Sequence, residues 1–362
     1  MKIANNVLKF ATSEKLSEQF VDYWKHYQAT QAGKKVDYDT TISFAEKEAQ
    51  LNSALRKEIM KRANVNYATE ANIDEWFYHP LVAHEVFAVS NALIDMILPD
   101  SIIDTIGLYT DVRVGGWGDS FAFDIEPRDL FVVSKHGKAQ RSVEVKKQFR
   151  GQVTIIPEFR ELSVAVSMYG VLTGKESLAN YVAKCARSIE TQMSLDAYNA
   201  FATAMTALSA TATTGLRIAG YSQANLIRLC EQVGAWSLGA KPIVIGTATA
   251  LLNVLPDDAN YRYTLSDPYT TIGYIPTING YDVMRMPQVA DLDTFAALKI
   301  AQDRLWIVAP SSQKIVKLCL EGNTISNTSG VFDNANLTQT STMSKSWGVG
   351  IATNAIAGVI TL

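Results

Sequence analysis

The stretch most suggestive of chemistry is Gly-Gly-Trp-Gly-Asp-Ser-Phe, residues 115–121, which places Ser120 in a glycine-rich turn. A serine in such a turn resembles the nucleophile of a lipase-type hydrolase. That mechanism needs a histidine base, late in the chain, to accept the hydroxyl proton. The chain has four histidines, which are His26, His79, His84 and His136. Because none follows residue 136, the sequence disfavours catalysis by Ser120 and predicts no catalytic residue.

Metal and cofactor motifs are also missing from the sequence. His79 and His84 are five residues apart with Pro80 between them, so a helix would place them on different faces. Paired Cys-x-x-Cys motifs and a dinucleotide-binding glycine fingerprint after a strand are both absent. The three cysteines are odd in number and far apart, which predicts buried thiols in a reducing compartment; they are Cys185, Cys230 and Cys319. We therefore predict neither a metal nor a cofactor.

Length and composition are those of an ordinary globular protein. The chain has 362 residues, of which 48% are hydrophobic and 19% charged, so we expect one or two domains with a sizeable core. The net charge of −3 does not mark the chain as a nucleic-acid binder. The sequence has no signal-peptide pattern and no run of about 20 strongly apolar residues. A soluble protein made in a cytoplasm, without a membrane partner, is predicted.

The first 108 residues are predicted to be helical. Residues 1–75 combine dense charge with helical spacing, and Phe44, Leu51, Leu55 and Ile59 form one apolar stripe. We expect a helical arm that lacks a core of its own and packs on another surface; a small helical subdomain is the alternative. Residues 76–108 are predicted to link the arm to the core, with a buried helix over residues 80–97.

Residues 109–160 alternate in hydrophobicity and predict a long β-hairpin. Its middle carries seven basic residues against two acidic ones, Asp129 and Glu144. The basic residues are Arg128, Lys135, Lys138, Arg141, Lys146, Lys147 and Arg150. An isolated two-stranded ribbon is marginally stable in water, so this hairpin should fold back on its own domain or lie across a neighbour. A solvated sheet face is the bland alternative.

The remainder predicts a mixed domain interrupted by an α/β lobe. Residues 174–208 form a long helix whose two halves bury different faces, as in a beam that spans two packing environments. Residues 217–290 alternate between helix and strand, with helices beginning at Ser222 and near Thr247. Strands return in residues 291–362. The predicted class is α+β.

This order of elements resembles the major capsid proteins of tailed bacteriophages, the Hong Kong phage-type capsid fold shared with encapsulins and the herpesvirus shell floor. The resemblance rests on architecture and local texture over nearly the whole chain. It identifies residues 109–160 with the extended loop and residues 174–208 with the spine helix. Residues 161–216 and 291–362 correspond to the peripheral domain, and residues 217–290 to the axial domain.

The resemblance implies a non-enzymatic protein that self-assembles through pentamers and hexamers into an icosahedral shell enclosing double-stranded DNA, which it binds without sequence specificity. It further implies a virion location after assembly in the host cytoplasm, a portal, and either a separate scaffolding protein or none. A cytoplasmic serine hydrolase using Ser120 is the alternative, as is another phage structural protein such as a tail component.

Two sets of residues acquire roles from the resemblance. Gly115, Gly116 and Gly118 would form a hinge that lets the extended loop swing from subunit to subunit, because glycine tolerates unusual backbone angles; a simple tight turn is the alternative. The hairpin and the N-terminal arm would both lie across neighbouring subunits, and the basic residues of the hairpin would meet acidic patches there. The predicted inter-subunit contacts are Lys135, Lys138, Arg141, Lys146, Lys147 and Arg150.

Overall fold

The computed structural model describes residues 16–33, 36–65, 79–106, 110–125, 147, 150–206, 215–254, 273–286, 288–289, 297–309, 314–328, 338–351 and 356–362. Its helices are α1 (Leu16–Ala32), α2 (Phe44–Arg62), α3 (Pro80–Ile106), α4 (Met168–Thr173), α5 (Leu178–Thr206), α6 (Gln223–Trp236) and α7 (Ala248–Leu251). Its first six strands are β1 (Thr110–Gly115), β2 (Phe121–Ile125), β3 (Gly151–Ile155), β4 (Glu158–Ser167), β5 (Arg217–Ala219) and β6 (Ile243–Gly246). The others are β7 (Thr277–Ile278), β8 (Tyr281–Arg285), β9 (Arg304–Val308), β10 (Val316–Thr328), β11 (Thr338–Ile351) and β12 (Ala357–Thr361).

The N-terminal helices α1 and α2 pack on the rest of the same chain. Ser43 begins α2 with a capping box, in which its hydroxyl accepts from the Glu46 amide while the Glu46 carboxylate accepts from the Ser43 amide. Phe20 and Leu55 are fully buried in one cluster with residues of α3 and α5. The expectation that this segment finds its burial on neighbouring subunits is therefore wrong for α1 and α2, because their apolar stripes meet α3 and α5 within the chain.

Helix α3 is the most apolar element of the core. It continues to Ile106 rather than stopping near residue 97, and Pro99 lies inside it. Its central span, Leu81–Ile102, has a mean hydropathy of 1.6, so by length and composition alone it is apolar enough to cross a membrane. Two-thirds of that span is buried inside the structure, as in the core helix of a globular domain. Burial on several sides holds the helix together across a proline that would interrupt an exposed helix.

A four-stranded sheet in the order β1-β10-β11-β4 covers one side of these helices. Strand β1 runs parallel to β10, whereas β10–β11 and β11–β4 are antiparallel. The β10–β11 register shifts between Glu321 and Ile325, where Gly322 adopts a φ of +57°. The buried Asp95 of α3 fixes this bulge, because it accepts from Thr324 and pairs with Lys345 at 2.6 Å.

The long helix α5 has the predicted two packing environments. Its first half lies against α2, where the Asn52 side chain donates to the Ser177 hydroxyl and accepts from the Ala179 amide. Its second half meets another sheet, because Tyr198 and Phe201 both contact the ring of Trp306 edge-on. The prediction of a helix that buries different faces along its length is confirmed.

The second sheet has six strands in the order β5-β12-β9-β6-β8-β7 and forms the predicted α/β lobe with α6 and α7. The predicted helix starts are confirmed, since the hydroxyls of Ser222 and Thr247 cap α6 and α7. Strands β9 and β12, which we expected beside the other C-terminal strands, instead pair within this lobe. The domain boundaries stay predictions, although the α+β class is confirmed by two sheets joined through one long helix.

Candidate functional site

The predicted hairpin is present at its base. Strands β2 and β3 pair in antiparallel register, from Phe121 opposite Ile155 to Ile125 opposite Gly151. Of the basic residues, Lys147 and Arg150 are described and exposed. The others lie outside the described residues; they are Arg128, Lys135, Lys138, Arg141 and Lys146. The inter-subunit role of this set therefore stays a prediction.

The hairpin base is seated on the outer face of the four-stranded sheet, opposite the helices. Phe121, Phe123 and Ile155 are buried there together with Cys319 of β10. Gly348 and Gly350 of β11 form the seat of Ile155, because a Cβ atom at either position would lie 2.9 or 2.7 Å from its side chain. Contacts that short do not occur between real side chains. The two glycines thus create the recess into which the hairpin base fits.

Cationic side chains hold the ring of Phe123 on this face. The guanidinium carbon of Arg113 lies 4.0 Å from the ring centroid, and the Lys317 ammonium lies 5.4 Å from it. The Lys317 ammonium also pairs with Asp111 at 3.1 Å. Burial beneath the hairpin raises the pKa of the Cys319 thiol to about 12, so this cysteine is an inert packing group. The prediction of buried thiols is confirmed for all three cysteines.

The glycine-rich turn between β1 and β2 is tied down by hydrogen bonds. The Gly116 amide donates to the Asp119 carboxylate at 2.6 Å, and the Asp119 amide donates back to the Gly116 carbonyl. The Gly118 amide donates to Glu321 of β10 at 2.8 Å, and a φ of +79° explains why glycine occupies this position. This geometry is that of a tight turn. Whether Gly115, Gly116 and Gly118 also act as a hinge stays a prediction.

Trp117, at the centre of the turn, lies flat against the bulge of β10. A Cβ atom at Gly322 would overlap its indole ring, so the tryptophan requires glycine there. The ring stacks on Phe159 of β4 with a centroid distance of 5.7 Å. Trp117 remains 45% exposed, Phe159 57% and Ile156 79%. We call Trp117 and Phe159 the apolar platform.

Acidic side chains surround the apolar platform. Asp119 and Glu321 lie beside Trp117, where both carboxylates accept from backbone amides of the turn. Glu161 is exposed two residues beyond Phe159, on the same face of β4. Glu158 pairs with Arg160 at 2.8 Å in a solvent-exposed contact. Among the residues that the structure describes, Asp119, Glu161 and Glu321 form no ion pair, and these carboxylates make the rim acidic.

The structure does not assemble a hydrolase site around Ser120. Ser120 is exposed at the end of the turn, and within the described ranges no histidine is hydrogen-bonded to it. His26 stacks on Tyr38 among the N-terminal helices, where burial, followed by the nearby Lys47, lowers its pKa. His136 lies outside the described residues. No three potential metal ligands come together among the residues that the structure describes.

Sequence reasoning located the hairpin but missed what holds it. The seats for Ile155 and Trp117 are glycines, Gly348, Gly350 and Gly322, that lie about 200 residues further along the chain. The alternating Trp-Gly-Val-Gly run at residues 347–350 was the available signal, since glycine inside a strand often marks the close approach of another segment.

Comparisons with known proteins add solved structures only. No family model and no curated protein matches the sequence. The mature capsid of bacteriophage PhiM1 is similar at 14% identity and a TM-score of 0.44, covering 69% of this chain and 85% of that one. The capsid of an empty GTA particle is similar at 11% identity and 0.47, covering 69% and 87%. A virus-like particle from Pyrococcus furiosus is similar at 12% and 0.40, covering 74% and 97%.

Proposed function

We propose that this chain is a major capsid protein of a tailed bacteriophage, which self-assembles through pentamers and hexamers into an icosahedral shell around double-stranded DNA. The observation that carries the proposal is the hairpin, whose described base is short and firmly seated on its own domain. The segment of residues 126–150 that continues from this base is the most basic in the chain. A ribbon of this kind gains stability by lying on a further surface.

The apolar platform supports the same conclusion. Large side chains clustered on a protein surface mark interaction sites, and tryptophan is enriched among residues that dominate binding energy. Here the cluster lies at the base of the hairpin and offers a place for another chain. Many copies joined by several modest contacts reach high overall affinity through multivalency.

The α/β lobe offers a second contact surface. Three large apolar residues are exposed on it: Trp236 at the end of α6, Leu238 just after it, and Leu252 after α7. Leu238 also has a φ of +57°, a strained conformation for a leucine. A strained backbone together with an exposed apolar side chain is consistent with a contact that forms only on assembly. We propose that lobes of neighbouring copies meet here around five-fold and six-fold axes.

The remaining parts of the proposal concern partners and chemistry. The net charge of −3 and a basic segment committed to protein contacts suit an inner surface that encloses DNA without gripping it. A portal and a separate scaffolding protein belong to the proposal as the machinery that such shells use. Catalysis has no place in it, since Ser120 has no base among the described residues.

Purification followed by size-exclusion chromatography and negative-stain microscopy tests the function. Closed particles tens of nanometres across are the expected result, with or without a co-expressed scaffold. Tubes or stacked rings would favour a tail component instead. A stable monomer that cleaves p-nitrophenyl esters, and loses that activity on Ser120→Ala substitution, would overturn the proposal in favour of the hydrolase.

A further inference from the structure

We infer that strand β4 pairs in antiparallel direction with β4 of a second copy of this chain, across a two-fold axis that passes through Leu162. The contact would join two four-stranded sheets into one sheet of eight strands. The inference rests on the proposed self-assembly and names one contact through which it operates. Both sides of that contact consist of residues that the structure describes.

Strand β4 is the longest edge strand in the described part of the chain. Its ten residues, Glu158–Ser167, pair with β11 along their whole length without a bulge. On its other side, β4 has no strand partner among the described residues. The opposite edge of the same sheet, β1, has six residues, and the edges of the six-stranded sheet have three in β5 and two in β7. A long, regular edge presents a row of unpaired amide and carbonyl groups, which favours the addition of another strand.

The inner side of this edge has room for a second molecule. A groove of about 280 Å³ lies between β4 and α5, and its lining includes Leu162, Ile189 and Gln192. Helix α5 lies over β11 instead, where the Trp347 indole donates to Asp196 at 3.0 Å. With strands about 4.8 Å apart, the two β11 strands that flank a β4–β4 pair would be roughly 14 Å apart. Helices pack at about 8–10 Å, so the two copies of α5 do not collide.

Symmetry restricts the register of such a pair. A two-fold axis perpendicular to the sheet keeps each face on its own side, so a residue lies opposite one from the same face. An axis through Arg160 or through Glu161 would place two like charges directly opposite each other, which is destabilising. The centres that avoid this and still use nearly the whole strand are Leu162 and Ser163.

The side chains favour the axis through Leu162. In that register Phe159, which is 57% exposed, lies opposite the exposed Ala165 of the second copy. Glu161 lies opposite Ser163, whose hydroxyl can donate to the carboxylate. An axis through Ser163 would instead place Glu161 opposite Ala165, where the carboxylate gains no hydrogen bond.

The cation on the inner face of β4 does not block the edge. Arg160 donates to Glu158 at 2.8 Å, and its guanidinium lies 5.7 Å from the ring centroid of Trp347. Asp196 is 3.8 Å from the same guanidinium. An unpaired charge pointing inward would protect an edge from strand addition. Here the charge is already paired with carboxylates of its own chain and held against its own domain.

The first experiment detects the register by disulfide formation. In this register Glu161→Cys and Ser163→Cys lie opposite each other, with Cβ atoms about 4.5–5.5 Å apart. The same position in the two copies is separated by about 8 Å, which exceeds the roughly 7 Å limit between Cα atoms for a disulfide. Mild oxidation of a mixture of the two variant chains should therefore give a mixed dimer on non-reducing gels. Either variant alone should give at most about a tenth as much.

The native thiols and an unrelated position provide the controls. Cys185, Cys230 and Cys319 are buried, so the background of cross-linking is low. The matched control mixes Ser163→Cys with Leu298→Cys, since Leu298 is 54% exposed but lies outside β4. That mixture should give no mixed dimer. Absence of the dimer between Glu161→Cys and Ser163→Cys would overturn the inference, as would equal cross-linking by either chain alone.

The second experiment changes the sign of one exposed charge. Ser163→Glu would face Glu161 of the second copy, whereas Ser163→Lys would offer that carboxylate a partner. We expect the yield of assembled particles from the glutamate variant to be about threefold lower or less, relative to the lysine variant, because both copies contribute the opposed pair. The difference should shrink as salt is raised. Thermal unfolding of the unassembled chains should be alike, and equal particle yields from the two variants would contradict the inference.

The outcomes separate the inference from the proposed function. If the parent chain forms shells but the mixed dimer is absent, the inference fails while the function stands. A mixed dimer from chains that form no shells would support the strand pairing and overturn the proposed function. Neither shells nor mixed dimer would overturn both.

Discussion

The N-terminal helices and the hairpin are the two charge-rich segments of the chain, yet they are held in opposite ways. Helices α1 and α2 turn a continuous apolar stripe into the core, with Phe20 and Leu55 fully buried, and Lys47 links them through Asp22. The described base of the hairpin inserts Ile155 into a recess lined by Gly348 and Gly350. The difference is one of geometry, because a helix shows one face to its own domain whereas a two-stranded ribbon keeps a second face to offer elsewhere. The first segment is part of the structural core, and the described base of the second adds a small cluster on the outer face of the sheet.

The largest expected effect is a loss of stability when the packing of α2 on the core is weakened. Leu55→Ala should destabilise the fold by about 2–5 kcal/mol, because it leaves a cavity where α2 meets the core. Chemical denaturation monitored by circular dichroism measures this loss. The matched control is Lys57→Ser, because Lys57 is exposed on the same helix. Truncation of a buried leucine in a well-packed core usually costs roughly 2 kcal/mol or more. A loss below about 0.5 kcal/mol would therefore show that α2 packs on the core more loosely than its burial indicates.

A smaller effect is expected at the glycine recess beneath the hairpin base. Gly350→Ala places a Cβ atom 2.7 Å from Ile155 and should cost about 1–3 kcal/mol by overpacking, or else lift the hairpin base from the sheet. Hydrogen exchange in β3, measured by mass spectrometry, should accelerate. Gly151→Ala is the matched control, because its nearest neighbour at 3.6 Å is in ordinary contact. Equal exchange in the two variants would argue against the glycine recess.

The smallest effect is a pH dependence confined to the helical side. Burial, with Lys47 adding to it, holds the pKa of His26 below its usual 6.5, so the folded state binds this proton less readily than the unfolded chain. The unfolded state then binds more protons as pH falls below about 6.5, and stability is lost over that range. The parent chain should lose slightly more stability between pH 7 and pH 5 than His26→Gln. Identical slopes in denaturant titrations would contradict this.

Local signals predicted the elements well. Ser222 and Thr247 were recognisable as helix caps because their side chains act on amides only three residues away. The two stripes of α5 were visible because helical periodicity is itself local. The predicted end of α3 at residue 97 was wrong. The helix continues through Pro99, because tertiary packing outweighs the usual tendency of proline to end a helix.

Long-range signals were not predictable from one sequence. Strands β9 and β12 carry apolar residues that suit either sheet, and only the pairing of β9 with β6 decides between them. The platform depends on Gly322 lying beneath Trp117, a contact between residues about 200 positions apart. Neither residue predicts the contact with the other, because glycine in a strand and an aromatic residue in a turn each occur for several structural reasons.

The buried pair of Asp95 and Lys345 has a consequence for the surface above it. Lys345 also donates to the Gly322 carbonyl at 2.9 Å, while Asp95 accepts from Thr324, so both charges are engaged with the bulge. A slip of β10 by one residue would strand two ions in the interior, which is very costly. The pair therefore fixes the position of the bulge, and of the indole ring packed on it, relative to α3. Trp117 therefore has the same position relative to the core in every copy of the chain.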